Sequence, residues 1–227
     1  MNKLISKIQL AGKMKFPEGE SGIYIAELND NCQIYLEAQT NLQLFLIARA
    51  NSKKFTAKVE LGEASNLEVL EIFLGNGKDH YQQNWKIVHE GVNARSRFYL
   101  NSVMMGQSNL DFQGDVFIPA AGRYGDTYLR FQSLLLSDKA RAKAIPALEI
   151  VAHEVKAGHA ASIGRVDDEL LFYLESRGFN RAYAEQMLVE AFLKDGLKQL
   201  SSIEEGKMLE LERILMEKID GGKIYSS

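Results

Sequence analysis

The amino-acid sequence predicts a mainly β protein with a helical C-terminal segment, because two hydrophobic patterns follow one another along its 227 residues. Up to about Ile150, short segments rich in Ile, Val, Leu, Phe and Tyr are separated by Gly, Asn, Asp and Ser. After Gly164, apolar residues instead recur at the three- and four-residue spacing of amphipathic helices. We therefore expect a β core over residues 1–164 and a C-terminal helical region over residues 165–227.

The β core is predicted from short apolar segments, several of which alternate apolar with polar residues as half-buried strands do. The predicted strands are residues 22–26, 33–36, 42–47, 55–59, 67–74, 85–89, 97–100, 110–112, 115–118 and 128–131. Such spacing is compatible with a sandwich, a closed barrel or a β-solenoid, and periodicity alone leaves the three open. Two-residue hairpin signals are rare, Asn76-Gly77 being the visible one, so a solenoid is not disfavoured.

The C-terminal segment is predicted to form about three helices. Asp167 or Asp168 can cap the first, and Gly178 suits the left-handed residue that ends it. Asn180 can cap the second. Two apolar stripes are expected to pack these helices: Ala184, Met187, Leu188, Ala191 and Phe192 on the second, and Met208, Leu211, Leu215 and Ile219 on the third.

Composition excludes several classes of protein. With 27 Lys and Arg against 30 Asp and Glu, a general nucleic-acid binder is not expected. The single cysteine, Cys32, cannot form an internal disulfide or a thiolate cage for zinc or an iron–sulfur cluster within one chain. The sequence shows neither the apolar core of a signal peptide nor a continuous apolar run of membrane-spanning length. We therefore expect a soluble protein of a reducing compartment, most simply the cytoplasm.

Few residues suggest chemistry of their own, and no catalytic residue is predicted. The sequence lacks a nucleophile elbow, a phosphate-binding loop and a dinucleotide fingerprint, and Cys32 suits a small buried hydrophobe. Among four histidines, His159 is distinguished by its small neighbours in Lys156–Ser162, which leave the imidazole accessible to a metal or a partner chain.

Three segments, in order, resemble the SufB/SufD family of iron–sulfur cluster assembly proteins. They are Leu134–Ile150, Val155–Gly164 with its Lys156-Ala157-Gly158-His159 sequence, and Asp167–Gly178 with its Phe172-Tyr173-Leu174 sequence. The resemblance extends over roughly residues 87–200. It implies a right-handed parallel β-helix followed by a C-terminal helical segment, and it is nearer to SufD than to SufB.

Family resemblance also implies a function. It suggests a non-catalytic scaffold or accessory subunit that pairs through its β-helix with a SufB/SufD-type subunit or with itself, and that binds a SufC-type ABC ATPase through its helices. No nucleic acid or membrane is expected as a partner. His159 matches a candidate iron or cluster ligand at the subunit interface, and no cofactor is expected to bind stably, only iron or a cluster shared transiently with a partner chain. The residues that match the ATPase-docking signature are Leu171, Phe172, Tyr173, Ser176, Arg177 and Gly178.

Two positions depart from the family pattern. Ala140 stands where the SufB branch has a cysteine, and Ala160 stands where that branch has a glutamate and the SufD branch a glycine. The chain is also shorter than family members that carry an N-terminal helical domain, so we expect a short or divergent paralogue. The alternative function is a carbohydrate-active or ligand-binding β-solenoid, which requires Glu68, Glu71, Asp111 and Asp115 to share one groove.

Overall fold

The computed structural model describes residues 5–49, 54–200 and 203–220, which form eleven strands followed by three helices. The strands are β1 (Ser6–Phe16), β2 (Ser21–Leu36), β3 (Asn41–Arg49), β4 (Lys54–Leu61), β5 (Asn66–Gly75), β6 (His80–His89), β7 (Arg95–Met104), β8 (Asn109–Ile118), β9 (Asp126–Leu135), β10 (Arg141–Ile150) and β11 (Lys156–Arg165). The helices are α1 (Asp168–Ser176), α2 (Arg181–Leu197) and α3 (Glu205–Asp220).

Every ladder between these strands is parallel, and the strand order is β10-β8-β6-β4-β2-β3-β5-β7-β9-β11, with β1 beside β2. The long strand β2 joins two faces, because residues 21–26 pair with β3 while residues 32–36 pair with β4. After β2 the chain alternates between the two faces and adds one strand to each in turn. This arrangement confirms the β-solenoid and excludes the sandwich and the barrel.

The solenoid core lies between the two faces. Alternate side chains of each strand point inward, as the alternating burial of β4 and β8 shows. Four aromatic rings lie next to one another inside, with centroids 4.9 Å apart for Trp85 and Phe98 and 5.6 Å apart for both Phe98–Phe112 and Phe112–Phe131. Aromatic pairs at these distances attract beyond the area that they bury, so this stack stabilises the middle of the solenoid.

A second core lies outside the solenoid, between the face formed by β3, β5 and β7 and the helices α2 and α3. It explains why β5 and β7 are buried on both sides. Leu211, Leu215 and Ile219 of α3 are fully buried here, which confirms the stripe predicted for that helix. The helices α2 and α3 therefore share a core with the solenoid and are not joined to it by the chain alone.

The stripe predicted for α2 is correct only in part, because Ala184 is buried and Phe192 packs against the second core, but the other members do not form its centre. Ala191 is exposed, whereas Val189, Leu193 and Leu197 are buried against the sheet. Apolar residues occur around most of this helix, so the sequence pattern did not identify the face that packs. Gly196 lies where α2 comes closest, since a Cβ atom at this position would be 3.1 Å from Cγ of Asn101 on β7.

Helix boundaries follow the predicted caps. Asp167 accepts hydrogen bonds from the backbone N–H groups of Glu169 and Leu170 at 2.8 and 3.3 Å, and Asn180 accepts one from Tyr183 at 2.9 Å. Gly178 has a φ of +95°, in the left-handed region. No helix among the described residues is both long and apolar enough to cross a membrane.

Candidate functional site

The C-terminal end of the solenoid is open. Its last rung consists of β10 and β11, and within the described residues each of them pairs with one strand only, β8 and β9 respectively. Both strands are largely exposed, unlike the interior strands. The outer edge of this rung therefore presents unpaired backbone N–H and C=O groups, which can pair with a strand of another chain.

His159 lies on β11 at this open end and is exposed. It pairs with Leu129, which pairs with Phe98 and then with Val69, and these three side chains are at most 2% exposed inside the solenoid. In a parallel ladder, paired residues point to the same face. His159 therefore belongs to the inward-pointing set, and it is accessible because no further rung covers it.

Ile163 repeats this situation four residues further along β11. It is 44% exposed and is paired with Ser133, whose side chain is buried inside the solenoid. Sequence reasoning did not select this residue, although the even spacing from His159 places both on one face of a strand. Further apolar side chains are exposed near the same end, namely Ile145, Ile150 and Val151.

The two positions that bear on sulfur chemistry are both buried. Cys32 is 4% exposed, and burial raises the pKa of its thiol to about 11, which confirms the prediction of a small buried hydrophobe. Its ladder runs through Ala57, Trp85 and Gly114 to Pro146 of the last rung. Four ladder steps of about 4.8 Å place Cys32 about 19 Å from that rung.

Ala140 is 0% exposed at the turn that leads into β10, where it belongs to the solenoid core. Its methyl group offers neither a metal ligand nor a sulfur acceptor. Among the described residues there is also no group of three or more His, Cys, Asp and Glu side chains placed to hold a metal ion. Any thiolate at the open end has to come from another chain.

Helix α1 presents a second exposed surface next to the last rung. Phe172 is 72% exposed, Tyr173 is 52% exposed and Leu170 is 50% exposed. The guanidinium carbon of Arg177 lies 5.2 Å from the centroid of the Tyr173 ring, a cation–π contact. Large apolar side chains as exposed as these are typical of a surface that another protein covers. Tyr173 and Arg177 are thus in contact, and Phe172 is exposed on the same helix.

Leu171 differs from its neighbours, because it is 2% exposed and packs within this chain. It lines a cavity of about 170 Å³ with Leu135, Leu136 and Arg181. Its role is therefore to fix α1 on the solenoid. Ser176 is engaged locally, since its hydroxyl donates a hydrogen bond to the carbonyl oxygen of Tyr173 at 2.6 Å.

The same cavity is bordered by an ion pair between Arg165, at the end of β11, and Asp138, before β10. The Arg165 guanidinium holds the pKa of Asp138 below its usual value. This pair connects the two strands of the last rung at the side where α1 begins. It places the open end and the α1 surface next to each other.

The four carboxylates required by the alternative function do not share a groove. Glu71 points into the solenoid, whereas Glu68 lies on the outer face in a groove with Arg97. Asp111 and Asp115 lie on the outer face of the opposite sheet, where Asp111 contacts His80 at 2.7 Å. A paired-carboxylate hydrolase site is thus not assembled from these residues.

Comparison with known proteins shows the family to which the chain is similar. A family model described as the SufBD core domain of SUF-system FeS cluster assembly matches residues 28–192. The match begins well before residue 87, so it includes strands that the sequence motifs did not cover.

The chain is similar to curated relatives named iron–sulfur cluster assembly SufBD family protein. The relative from Mycobacterium tuberculosis is 31% identical over 148 residues, which are 62% of this chain and 37% of the relative. That from Synechocystis is 30% identical over 162 residues, 70% of this chain and 34% of the relative. That from Pyrococcus horikoshii is 32% identical over 166 residues, 73% of this chain and 36% of the relative. This chain spans about a third of the length of these relatives.

Proposed function

Because the chain belongs to the SufBD family of iron–sulfur cluster assembly proteins, we propose that it is a non-catalytic scaffold or accessory subunit of Suf-type assembly. In this role it pairs through the open end of its solenoid and binds a SufC-type ATPase through its helices. The observation that carries the proposal is the uncovered last rung, whose inward-pointing residues His159 and Ile163 are exposed. A solenoid end of this kind needs a cap to stay soluble, and a second solenoid can supply it.

The partner at the open end is a SufB/SufD-type subunit or a second copy of this chain. Support comes from the unpaired edges of β10 and β11, which can continue both sheets into another molecule. Ile163 and the small side chains of β11 leave room for a facing rung to approach closely. Such an interface would cover His159 as well.

Iron or a nascent cluster is the cargo in this proposal, and His159 supplies one imidazole ligand at the interface. A neutral imidazole binds iron well, whereas the thiol of Cys32 is buried and about 19 Å from the last rung. The thiolate ligands therefore come from the partner chain. The proposal places the protein in the cytoplasm, where a chain with one cysteine needs no disulfide.

The ATPase docks on α1 in this proposal, with Phe172 as the central contact and Tyr173 and Arg177 beside it. Support comes from the exposure of Phe172 and from the fixed stacking of Arg177 on Tyr173. Aromatic and arginine side chains are the residue types that dominate binding energy at protein interfaces. Leu171 and the cap at Asp167 hold the helix in position.

Co-expression with the SufC-type ATPase of the same organism tests the docking. We expect a complex that co-purifies, and we expect Phe172→Asp to weaken it by roughly tenfold or more, because a charge replaces an apolar anchor. Leu209→Asp is the matched control, since Leu209 is 62% exposed on α3. Deleting residues 166–220 is a poorer test, because it would uncover the second core. Failure of the full chain to co-purify, or equal loss in both variants, contradicts the docking.

A further inference from the structure

A carboxyl group lies inside the solenoid. Glu71 is 0% exposed and sits on the inward face of β5, between Val69 and Phe73. Its Oε1 atom accepts a hydrogen bond from Nε2 of Gln83 at 2.7 Å. Two buried oxygen atoms of this pair, Oε2 of Glu71 and Oε1 of Gln83, have no hydrogen-bond partner.

One proton satisfies both oxygens. A protonated carboxyl is a donor as well as an acceptor, and a primary amide is its complement, so acid and amide can form two antiparallel hydrogen bonds. An ionised carboxylate here would instead leave Oε1 of Gln83 without a donor and Oε2 of Glu71 with only the unpartnered Nε1–H group of Trp85 nearby, which is costly in a buried site. We propose that Glu71 is held as a neutral carboxylic acid whose O–H donates to Oε1 of Gln83, so that the solenoid interior takes up one proton on folding.

The surroundings favour the neutral form. Glu71 is stacked between Leu46 and Leu100, and the inward-facing residues of β3, β4, β7 and β8 carry no charge. Burial raises the pKa of Glu71 to about 7, and Gln83 and the nearby Nε1 atom of Trp85 offset only part of this effect.

Other titratable groups inside the solenoid stay uncharged near pH 7. Burial raises the pKa of Tyr81 on β6 and raises that of Cys32 on β2 to about 11. His89, at the end of β6, is fully buried between the Ala94 carbonyl and the Ser96 hydroxyl, at 3.1 and 2.9 Å. Burial lowers the pKa of His89 to about 4. None of these groups supplies a cation for an ionised Glu71.

Glu68 provides a matched comparison on the outer face of the same strand. It is 4% exposed and accepts a hydrogen bond from Nε2 of Gln43 at 2.6 Å, so it forms the same kind of pair. It differs because it lines a groove with Arg97, whose guanidinium pKa it helps to raise. Arg97 thus lies in the groove of the outer pair, whereas no inward-facing cation among the described residues accompanies Glu71.

Proton linkage makes the inference measurable. A carboxyl whose folded-state pKa is raised stabilises the protein fully below its unfolded pKa of 4.5, and this contribution is lost as pH rises to about 7. His89 acts oppositely, because its lowered folded-state pKa makes stability fall as pH drops from 6.5 toward 4. The two effects overlap, so the readout is the difference between wild type and a Glu71 variant.

We would measure denaturant unfolding of wild type, Glu71→Gln and Glu68→Gln at several pH values between about 5 and 7. Glutamine keeps both hydrogen bonds to Gln83 and cannot titrate. We expect the unfolding constant of wild type to rise, relative to that of Glu71→Gln, by about tenfold per pH unit. The unfolding constant of Glu68→Gln should change with pH as that of wild type does. If the unfolding constants of wild type and Glu71→Gln change with pH in the same way, the proposal is overturned.

Carbon-13 NMR of wild type with carboxyl-labelled glutamate keeps the test valid if Glu71→Gln does not fold. At pH 6 we expect one glutamate signal at the position of a protonated acid, and we expect it to remain in Glu68→Gln. A spectrum in which every glutamate is ionised at pH 6 overturns the proposal.

Discussion

His159 is exposed because of the rung on which it lies. The residues that precede it in its ladder, Leu129 and Phe98, face the same way and are buried by the rungs that follow them. On β11, the last strand, the same side-chain direction leaves the imidazole of His159 accessible to solvent or to a partner. Position along the solenoid, rather than the local sequence, thus determines whether an inward residue is core or surface.

At the residue scale we predict that His159→Ala leaves folding intact, because little buried area is lost, but reduces iron-dependent maturation of a reporter iron–sulfur protein. The loss of one ligand should cost about tenfold or more. His153→Ala is the control, since His153 is also exposed and precedes β11. Maturation would be assayed by activity of the reporter. Equal activity with His159→Ala and His153→Ala would contradict a ligand role for His159.

At the scale of elements, the helices belong to the fold of the solenoid. Leu193 and Leu197 of α2 and Leu211 and Leu215 of α3 share one core with the outer face of β3, β5 and β7. The residues of this face that pack beneath the helices, such as Phe45, Leu70 and Ile72, are therefore apolar. The C-terminal helices cannot be removed without uncovering apolar strands.

We predict that Leu215→Ala destabilises the whole molecule by about 2–5 kcal/mol, because it opens a cavity in the second core. Strand and helix signals in circular dichroism should be lost together in one transition during denaturant unfolding. Leu209→Ala, at an exposed position of the same helix, should change the free energy of unfolding little. Loss of the helical signal alone, with the strands intact, would contradict a shared core.

Strand prediction located β2 to β9, although it divided β2 and β8, and it missed the strands at the ends of the solenoid. Residues 22–26 and 33–36 were predicted as separate strands but form parts of β2, and residues 110–112 and 115–118 both belong to β8. Strands β1, β10 and β11 were not predicted, because half-exposed terminal strands need fewer apolar residues. Pro146 within β10 also suits an edge strand, since proline cannot donate to a ladder.

At the scale of the whole molecule, the solenoid has one interior and two exposed surfaces to which the proposed function assigns partners. The open end and the α1 surface lie next to each other, joined by the Asp138–Arg165 pair. A partner that covers one surface therefore adjoins a partner on the other. This proximity supports a shared assembly rather than two unrelated contacts.

We predict that Ile163→Lys weakens pairing through the open end, because it places a charge on the inward face of the last rung. Analytical ultracentrifugation, of the chain alone and with a SufB/SufD-type subunit, would measure the effect. Ile145→Lys is the control, since Ile145 is equally exposed at 46% but faces away from the interior. A wild-type chain that stays monomeric under both conditions contradicts the pairing.

The sequence by itself determined that strands precede helices, the caps at Asp167 and Asn180, and the inert setting of Cys32, because these depend on neighbours along the chain. The family motifs around His159 and Phe172 were also visible there. Strand periodicity left three β architectures open, and the family resemblance implied the β-helix that the parallel ladders confirm. Only the tertiary structure decided which face of α2 packs, and that Glu71 lies inside while Glu68 lies outside. These features depend on ladder pairing between residues about 25 to 31 positions apart, which no local pattern specifies.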